Sequence, residues 1–257
     1  MLAKGRELGL HVFSTPFDET AVDFLETLDV PAYKIASFEI VDHALIAKVA
    51  STGKPMIIST GMADLSEISE GIAVAREAGA RDIVLLHCVS AYPAPVEDIN
   101  LRTIAHLGEA FGVVSGLSDH TLGTEVAIAS IALGGSVVEK HVTLRRADGG
   151  PDAAFSLEPA ELDALVRDCR SAWSALGRVN YHRVRSEQSN TVFRRSLYAV
   201  KDIDEGELMN ADNVRSIRPG YGLLPKHLDN VLGRRAVGKI ARGTALKWSL
   251  ISGAPAD

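Results

Sequence analysis

GKPMIISTGMADLSEISEGIAVAREAGARDIVLLHCVS, residues 53–90, contains a short apolar run, an amphipathic stretch and a second apolar run. The two apolar runs, at 55–60 and 82–90, carry the β-branched residues that are typical of strands. Residues 65–80 have apolar side chains at three- and four-residue intervals, which is typical of a helix, and Asp64 stands where an N-cap is expected. The stretch therefore predicts two strands joined by a helix, and strands connected in this way lie parallel.

The same alternation of strand and helix continues along most of the chain. Strand-like runs occur at 11–14, 32–37, 55–60, 82–90, 112–118 and 136–144, and helical patterns at 2–9, 19–28, 43–51, 65–80, 101–112, 123–135 and 156–177. Because the strand-like runs are nearly continuous in apolar residues, both faces of the sheet are expected to be buried. Six strand–helix units can be counted, whereas a closed (β/α)8 barrel has eight. The pattern alone leaves open either a doubly wound sheet or a barrel represented by six of its units.

The character of the sequence changes after residue 178. Residues 179–193 are polar and basic without an apolar period, which predicts a linker. Residues 194–257 contain short β-like pieces separated by turn residues, as at 204–206. We therefore expect an α/β domain over 1–178 and a small β-rich domain over 194–257.

Composition excludes several classes of protein. The 257-residue chain has a formal net charge of −6 and a pI near 5.8, so nucleic acid is not an expected partner. No apolar run approaches the roughly 20 residues of a membrane span, and a cytoplasmic location is the default expectation. The only cysteines, Cys88 and Cys169, are expected to be reduced and structural.

Hydroxyl groups and one lysine follow the predicted strands, where the chemistry of parallel α/β folds collects. Lys34 interrupts an apolar strand, so its ammonium must reach a counter-ion or a pocket. The hydroxyl residues either cap helices or, acting together with the lysine, bind an anion. They are Thr15, Ser37, Ser59 and Ser118.

Two histidines, His120 and His141, stand at the ends of consecutive predicted strands. Their imidazoles can converge on one cation, but two histidines without a third ligand are a weak metal signal. Spacing alone therefore leaves structural histidines as the alternative. For His87, inside the run at 82–90, a structural role beside the strand is favoured.

Longer motifs carry a resemblance to a known family. The segments are FSTPFDETAVDFLETLDVPAYKIASFEI (13–40), GKPMIISTGMA (53–63), LLHCVSAYPAP (85–95), GLSDHTLG (116–123), VEKHVTL (138–144) and GGPDAAFSLEP (149–159). Together they resemble the sialic acid synthase family, which condenses phosphoenolpyruvate with a hexosamine-derived sugar. RRSLYAVKDIDEGELMNADNVRSIRPGYGLLPKHL (194–228) is similar to the SAF, or antifreeze-like, domain of that family. The resemblance implies a TIM barrel followed by a SAF domain, with about six of eight barrel units in this sequence.

The resemblance also implies roles for individual residues. Lys34 and the four hydroxyl residues bind phosphoenolpyruvate, and His120 and His141 hold Mn²⁺ or Mg²⁺. The carboxylates of Glu39 and Asp152 orient hydroxyls and move protons, Tyr92 contacts the sugar, and Ser90 replaces an asparagine of the sialic acid branch as a ligand contact. Arg218 reaches the sugar in a neighbouring subunit, which implies a domain-swapped homodimer.

ASFEI (36–40), GGPDAAFSLEP and RSIRPGYGL (215–223) look most like the pseudaminic acid synthase branch. That branch condenses phosphoenolpyruvate with 2,4-diacetamido-2,4,6-trideoxy-L-altropyranose to give pseudaminic acid and phosphate. Three alternatives stay open: an N-acetylneuraminate or legionaminate synthase that uses another hexosamine, a non-catalytic fragment, and a class I aldolase with Lys34 or Lys140 as its Schiff-base amine.

Overall fold

The computed structural model describes residues 1–253 and divides into two compact units, Met1–Arg178 and a second that begins at Val179. The helices of the first unit are α1 Leu2–Glu7, α2 Glu19–Thr27, α3 His43–Ala50, α4 Leu65–Glu77, α5 Thr103–Phe111, α6 Glu125–Ala132 and α7 Pro159–Leu176. Its strands are β1 Tyr33–Ile35, β2 Met56–Ser59, β3 Ile83–Cys88, β4 Val114–Asp119 and β5 Val137–Lys140.

The five strands form one curled parallel sheet in the order β1-β2-β3-β4-β5. A doubly wound sheet reverses its strand order at a switch point, whereas a TIM-type barrel adds each strand beside the previous one. The sequential order excludes the doubly wound alternative. The fold is a half-barrel of the TIM type, as the resemblance implies.

The first predicted strand is shorter than the sequence indicates. Within residues 11–14, Ser14 makes a single parallel bridge to Tyr33, and the Lys34 N–H reaches the Ser14 carbonyl at 3.4 Å. Phe13 is exposed instead of packed in the core. The apolar run at 11–14 therefore pairs with β1 at one residue only and does not form the predicted strand.

Helix boundaries follow the expected capping chemistry. The Asp18 carboxylate caps α2 by accepting from the Ala21 N–H. Asp64 and Glu67 form a capping box at the start of α4, because each side chain accepts the other residue's backbone N–H. Gly112 ends α5 with φ +60°, a left-handed conformation that favours glycine.

The main core lies between the sheet and the helices. Ile35, Ile58 and Leu85 from successive strands are fully buried and belong to the same cluster as Val49 of α3 and Ile72 of α4. Burial of one such side chain contributes about 1.5–3 kcal/mol to stability. Because side chains alternate along a strand, the opposite face of the sheet is left for other residues.

The second unit has its own core and is mostly strand and turn. Its antiparallel strands are β6 Ser196–Ala199 and β7 Val214–Ile217, and its one short α-helix among the described residues is α8 Leu228–Val231. Isolated bridges join further β-like pieces, including Ile203 with Ile240. The segment 179–193, predicted as a linker, holds a 3-10 run over Arg185–Phe193 in which no residue is buried.

Within the described residues, no helix is both long enough and apolar enough to cross a membrane. Both cysteines are free, as expected; Cys88 is buried and Cys169 half-buried.

Candidate active site

A polar pocket of about 200 Å³ lies where the strands of the half-barrel end. Its lining consists of Thr15, Lys34, Ala36, Ser37, Ser59, Tyr92, Ser118, His120, Glu139 and His141. Eight of these are site residues predicted from the sequence. They come together because parallel strands in register bring their carboxyl ends to one edge of the sheet.

On one side of the pocket, Lys34 is buried and nearby acidic groups compensate the charge of its ammonium. Lys34 Nζ donates to the Ile35 carbonyl at 2.8 Å and lies 3.7 Å from Glu139 Oε2. Burial lowers the pKa of the Lys34 ammonium, and the charge of Glu139 opposes that shift. Ser118 donates to the other carboxylate oxygen of Glu139 at 2.6 Å. The side therefore offers a desolvated cation and a fixed carboxylate to a ligand.

Glu139 is a residue that the sequence analysis left without a role. It faces the pocket because it pairs with Ser118 in the register of β4 and β5. Alternation along β5 was the available signal, since a residue two positions before His141 shares its face of the strand.

Two groups near the lysine have no hydrogen-bond partner within residues 1–253. Ser59 Oγ and Glu39 Oε2 are both buried and unsatisfied. An unsatisfied buried polar atom costs about 1–3 kcal/mol, so a ligand that supplies the missing partner recovers that free energy. Glu39 closes the short 3-10 turn Ser37–Glu39 after β1 and does not line the pocket itself.

Gly61 packs closely against the hydroxyl groups and leaves no space for a side chain. Its N–H donates to Ser37 Oγ at 3.1 Å. A Cβ at this position would overlap Ser90 Oγ and lie 2.8 Å from Ser37 Oγ and 3.1 Å from Cys88 Sγ. Ser90 itself is half-buried next to the pocket, with its Oγ 3.9 Å from Cys88 Sγ.

The two histidines form the other side of the pocket, with ring centroids 5.2 Å apart. His120 Nδ1 lies 3.1 Å from the Val89 carbonyl. A carbonyl only accepts, so this contact assigns the proton to Nδ1 and leaves the Nε2 lone pair free. The rings of Tyr92 and Phe155 pack against the pair, with centroids 4.3 Å from His120 and 5.1 Å from His141 respectively.

The environments of the two imidazoles differ. Burial lowers the pKa of His120, but its contacts with Cys88 and the Val89 carbonyl raise it by more, so the pKa lies above its usual value. Burial and the nearby charge of His120 lower the pKa of His141. Asp152 opposes that shift with Oδ2 3.6 Å from His141 Nδ1. A neutral His141 retains a lone pair for a cation.

Cys88, which the sequence predicts to be reduced and structural, is free and buried beside His120. Its Sγ lies 3.8 Å from His120 Nδ1. Although burial raises the pKa of this thiol, contacts with His120 and Ser37 outweigh burial and lower it. The thiol forms part of the support beneath the pocket.

Other candidates lie elsewhere. His87 points into the helix layer, where its ring contacts the Ile99 carbonyl and burial lowers its pKa, in line with the predicted structural role. It lines a larger cavity of about 750 Å³ that contains none of the predicted site residues.

Arg218 belongs to the second unit, where it is exposed immediately after β7. Within residues 1–253, no group of three or more His, Cys, Asp or Glu side chains is placed to hold a metal ion.

Comparison with known proteins identifies the family and the fold. Residues 1–181 match the NeuB family and residues 194–252 match the SAF domain. The chain belongs to the NeuB family. A pseudaminic acid synthase of Helicobacter pylori is 43% identical over 90% of the chain and 68% of its own length. An N,N'-diacetyllegionaminic acid synthase of Campylobacter jejuni is 39% identical over 92% of the chain and 72% of its own length.

A solved structure agrees with this NeuB-family assignment. The N-acetylneuraminic acid synthetase of Leptospira borgpetersenii, crystallised with citrate, superimposes with a TM-score of 0.69 at 33% identity. The match covers 75% of this chain and 67% of that protein. The relatives of this NeuB-family chain are thus sialic-acid-type synthases.

Proposed function

We propose that this chain is a synthase that condenses phosphoenolpyruvate with 2,4-diacetamido-2,4,6-trideoxy-L-altropyranose and releases pseudaminic acid and phosphate. The observation that carries the proposal is the pocket in which buried Lys34 and four hydroxyl residues face a pair of histidines. A small trianion needs a cation and hydrogen-bond donors in a desolvated place, and this side of the pocket supplies both.

Lys34 and the hydroxyl groups are assigned to the phosphate and carboxylate of phosphoenolpyruvate. Ser59 supports this role because its buried Oγ lacks a partner among the described residues. Gly61 supports it because a side chain there would displace the hydroxyl group of Ser37 from its place beside the pocket. Binding places the phosphate next to a fixed ammonium, which stabilises the negative charge of the leaving phosphate.

A divalent cation, Mn²⁺ or Mg²⁺, is assigned to the histidine pair. The Val89 carbonyl holds His120 in the tautomer that offers Nε2, and the lowered pKa of His141 keeps its ring neutral. When bound, the cation supplies Lewis acidity to the aldehyde oxygen of the open-chain sugar. Two imidazoles leave the remaining coordination positions to substrate and water.

The sugar end of the reaction is assigned to the aromatic and acidic side chains. The Tyr92 ring is tilted against that of His120, with centroids 4.3 Å apart, and is assigned to a contact with the sugar. Asp152, Glu39 and Ser90 do not line the pocket itself. Their assignment, of the two acids to orienting sugar hydroxyls and moving protons and of Ser90 to a ligand contact, follows from the family resemblance. Glu139, fixed between Ser118 and Lys34, maintains the charge balance of the ammonium.

The altrose sugar is favoured by the pseudaminic acid synthases among the relatives. The legionaminic acid synthase is only slightly less similar, 39% against 43% identical, and a few side chains decide sugar specificity. A legionaminate synthase with the same mechanism is therefore the second candidate.

Arg218 keeps its proposed role as a sugar contact supplied to a neighbouring subunit. It is supported by the exposure of the side chain and by its position in the SAF domain. The corresponding assembly is a homodimer in which each chain completes the other's site.

The test is phosphate release from phosphoenolpyruvate by this chain with the altrose sugar or the legionaminate precursor, in Mn²⁺ and then in EDTA. We expect metal-dependent release with the altrose sugar, and a loss of roughly 100-fold or more in Lys34→Met and His141→Ala. A preference for the other sugar would favour the second candidate. Silence with both sugars contradicts the proposal for this chain, and borohydride trapping of an adduct on Lys34 would point to an aldolase instead.

A further inference from the structure

A buried ion pair joins the two residues that directly precede the histidines in the sequence. Asp119 lies immediately before His120, and Lys140 immediately before His141. Lys140 Nζ is 2.7 Å from Asp119 Oδ2, and the two side chains are 3% and 0% exposed. The site described above uses neither residue.

The pair is anchored at a third point. Lys140 Nζ also donates to the Thr121 carbonyl at 2.6 Å, and Asp119 Oδ1 accepts from the Thr121 N–H at 2.9 Å. Thr121 is fully buried. The ion pair and Thr121 therefore form one connected clamp, defined as Asp119, Thr121 and Lys140, around the backbone of His120.

The clamp lies on the opposite side of the strand ends from the pocket. Asp119 and Lys140 pair directly in the register of β4 and β5. Their neighbours Ser118 and Glu139 are joined by a hydrogen bond of 2.6 Å on the pocket side. The two strand ends are thus fastened on both faces, at the positions just before the histidines.

Such a clamp resists any displacement that separates its two charges. A buried ammonium or carboxylate that loses its partner stays desolvated without compensation, so opening the pair is costly. Two acceptors on one ammonium also fix its direction, because hydrogen bonds to charged groups are short and strong. The backbone on both sides of His120, and just before His141, consequently has little freedom.

We propose that Asp119, Thr121 and Lys140 are positioning residues that set the separation and orientation of the His120 and His141 rings. The inference rests on the proposed function in that the rings are those assigned to the cation. It also gives Lys140 a role other than the Schiff-base amine considered from the sequence, since its Nζ is already bonded to two oxygens.

The experiment compares wild-type protein with Asp119→Asn/Lys140→Met, which removes both charges together and leaves no unpaired buried ion. Lys48→Met is the matched control, because Lys48 makes a pair of similar length, 2.6 Å, with Asp23 in the helix layer. Three quantities are measured: free Mn²⁺ by electron paramagnetic resonance, the nitrogen shifts of His120 by imidazole NMR without metal, and unfolding in urea.

We expect the double variant to fold and to bind Mn²⁺ about 10- to 100-fold more weakly, as is typical when a supporting partner of a metal ligand is lost. We also expect His120 to change from one Nδ1–H tautomer to a mixture. Lys48→Met should match wild type in both Mn²⁺ affinity and the nitrogen shifts of His120. If the double variant does not fold, Lys140→Arg is measured in its place, because it keeps the charge and changes the geometry.

A folded variant with wild-type Mn²⁺ affinity and unchanged His120 shifts overturns the proposal, as does lower stability without either change. Failure of the proposed function is distinguishable. If wild type does not bind Mn²⁺, the cation assignment fails, and the metal-free imidazole spectra alone decide whether the clamp orients the ring.

Discussion

At the scale of single residues, the buried Lys34 of the pocket contrasts with the half-buried Lys48 of α3. Burial lowers the pKa of Lys34, whereas the hydrogen bond with Asp23 raises the pKa of Lys48. The two groups must therefore affect stability with opposite dependence on pH.

For Lys34, the unfolded state keeps its proton up to the ordinary pKa of 10.5, while the folded state loses it at lower pH. The unfolded state binds more protons in that window, so the free energy of unfolding of wild type rises relative to Lys34→Met as pH increases. The slope is at most about 1.4 kcal/mol per pH unit. Urea titrations of both proteins between neutral pH and 10.5 measure it.

Lys48→Met is the control with the reverse sign. The stabilisation that the Lys48–Asp23 pair contributes is fully present below pH 10.5, and it disappears as the pH rises through the raised pKa of Lys48 in the folded state. If the difference in the free energy of unfolding between wild type and Lys34→Met stays constant or falls as pH rises, the Lys34 ammonium is not desolvated.

Gly61 gives a second prediction at this scale. Gly61→Ala brings a methyl group against Ser90, Ser37 and Cys88, so we expect the KM for phosphoenolpyruvate to rise roughly tenfold and stability to fall by about 1–3 kcal/mol. Gly238→Ala is the matched control, since a Cβ there has no atom within 4 Å. Unchanged kinetics in Gly61→Ala would mean that the position of the Ser37 hydroxyl does not matter for phosphoenolpyruvate binding.

The sequence predicted individual pocket residues unevenly, for a physical reason. Hydroxyl groups and Lys34 stand out because they interrupt apolar strands whose ends must converge. Glu139 was missed because its place in the pocket depends on which side chain it faces across the strands, namely Ser118. That pairing is a property of register, which short-range patterns do not contain.

At the scale of elements, α4 is the clearest case of local sequence deciding structure. The capping box of Asp64 and Glu67 satisfies two backbone N–H groups at its start. We expect Asp64→Ala to lower the free energy of unfolding by about 1 kcal/mol. Equilibrium urea unfolding measures the loss, and Ser66→Ala, a substitution within the same helix, should cost less; equal losses would contradict a capping role.

Periodicity located five strands and seven helices of the first unit, yet it did not distinguish a doubly wound sheet from a barrel. Both folds use the same strand–helix unit, and they differ only in which edge receives the next strand. The order β1-β2-β3-β4-β5 carries that information. The segment 11–14 shows the other limit, because an apolar run becomes a strand only where a neighbour pairs along its length.

At the scale of the whole molecule, the proposed swapped homodimer makes a prediction about mixtures. Lys34→Met and Arg218→Ala chains should each be nearly inactive alone. In a mixed dimer, one site combines intact Lys34 from one chain with intact Arg218 from the other. Since half of randomly formed dimers are mixed, unfolding and refolding the two together should restore about a quarter of wild-type phosphate release.

The same mixture distinguishes the alternative assembly. If each chain completed its own site, every site would retain one defect and mixing would restore nothing. The control is each variant refolded alone at the same total concentration, which measures any recovery that does not come from mixed dimers.

The hydrogen bond between His120 and the Val89 carbonyl affects which amino-acid substitutions this protein tolerates. Its acceptor belongs to the backbone, so no substitution at residue 89 removes it as long as the chain follows the same path. Valine can give way to other apolar residues while the imidazole keeps its tautomer. The protonation pattern of the proposed cation ligand thereby depends on the path of the main chain and not on the identity of a neighbouring side chain.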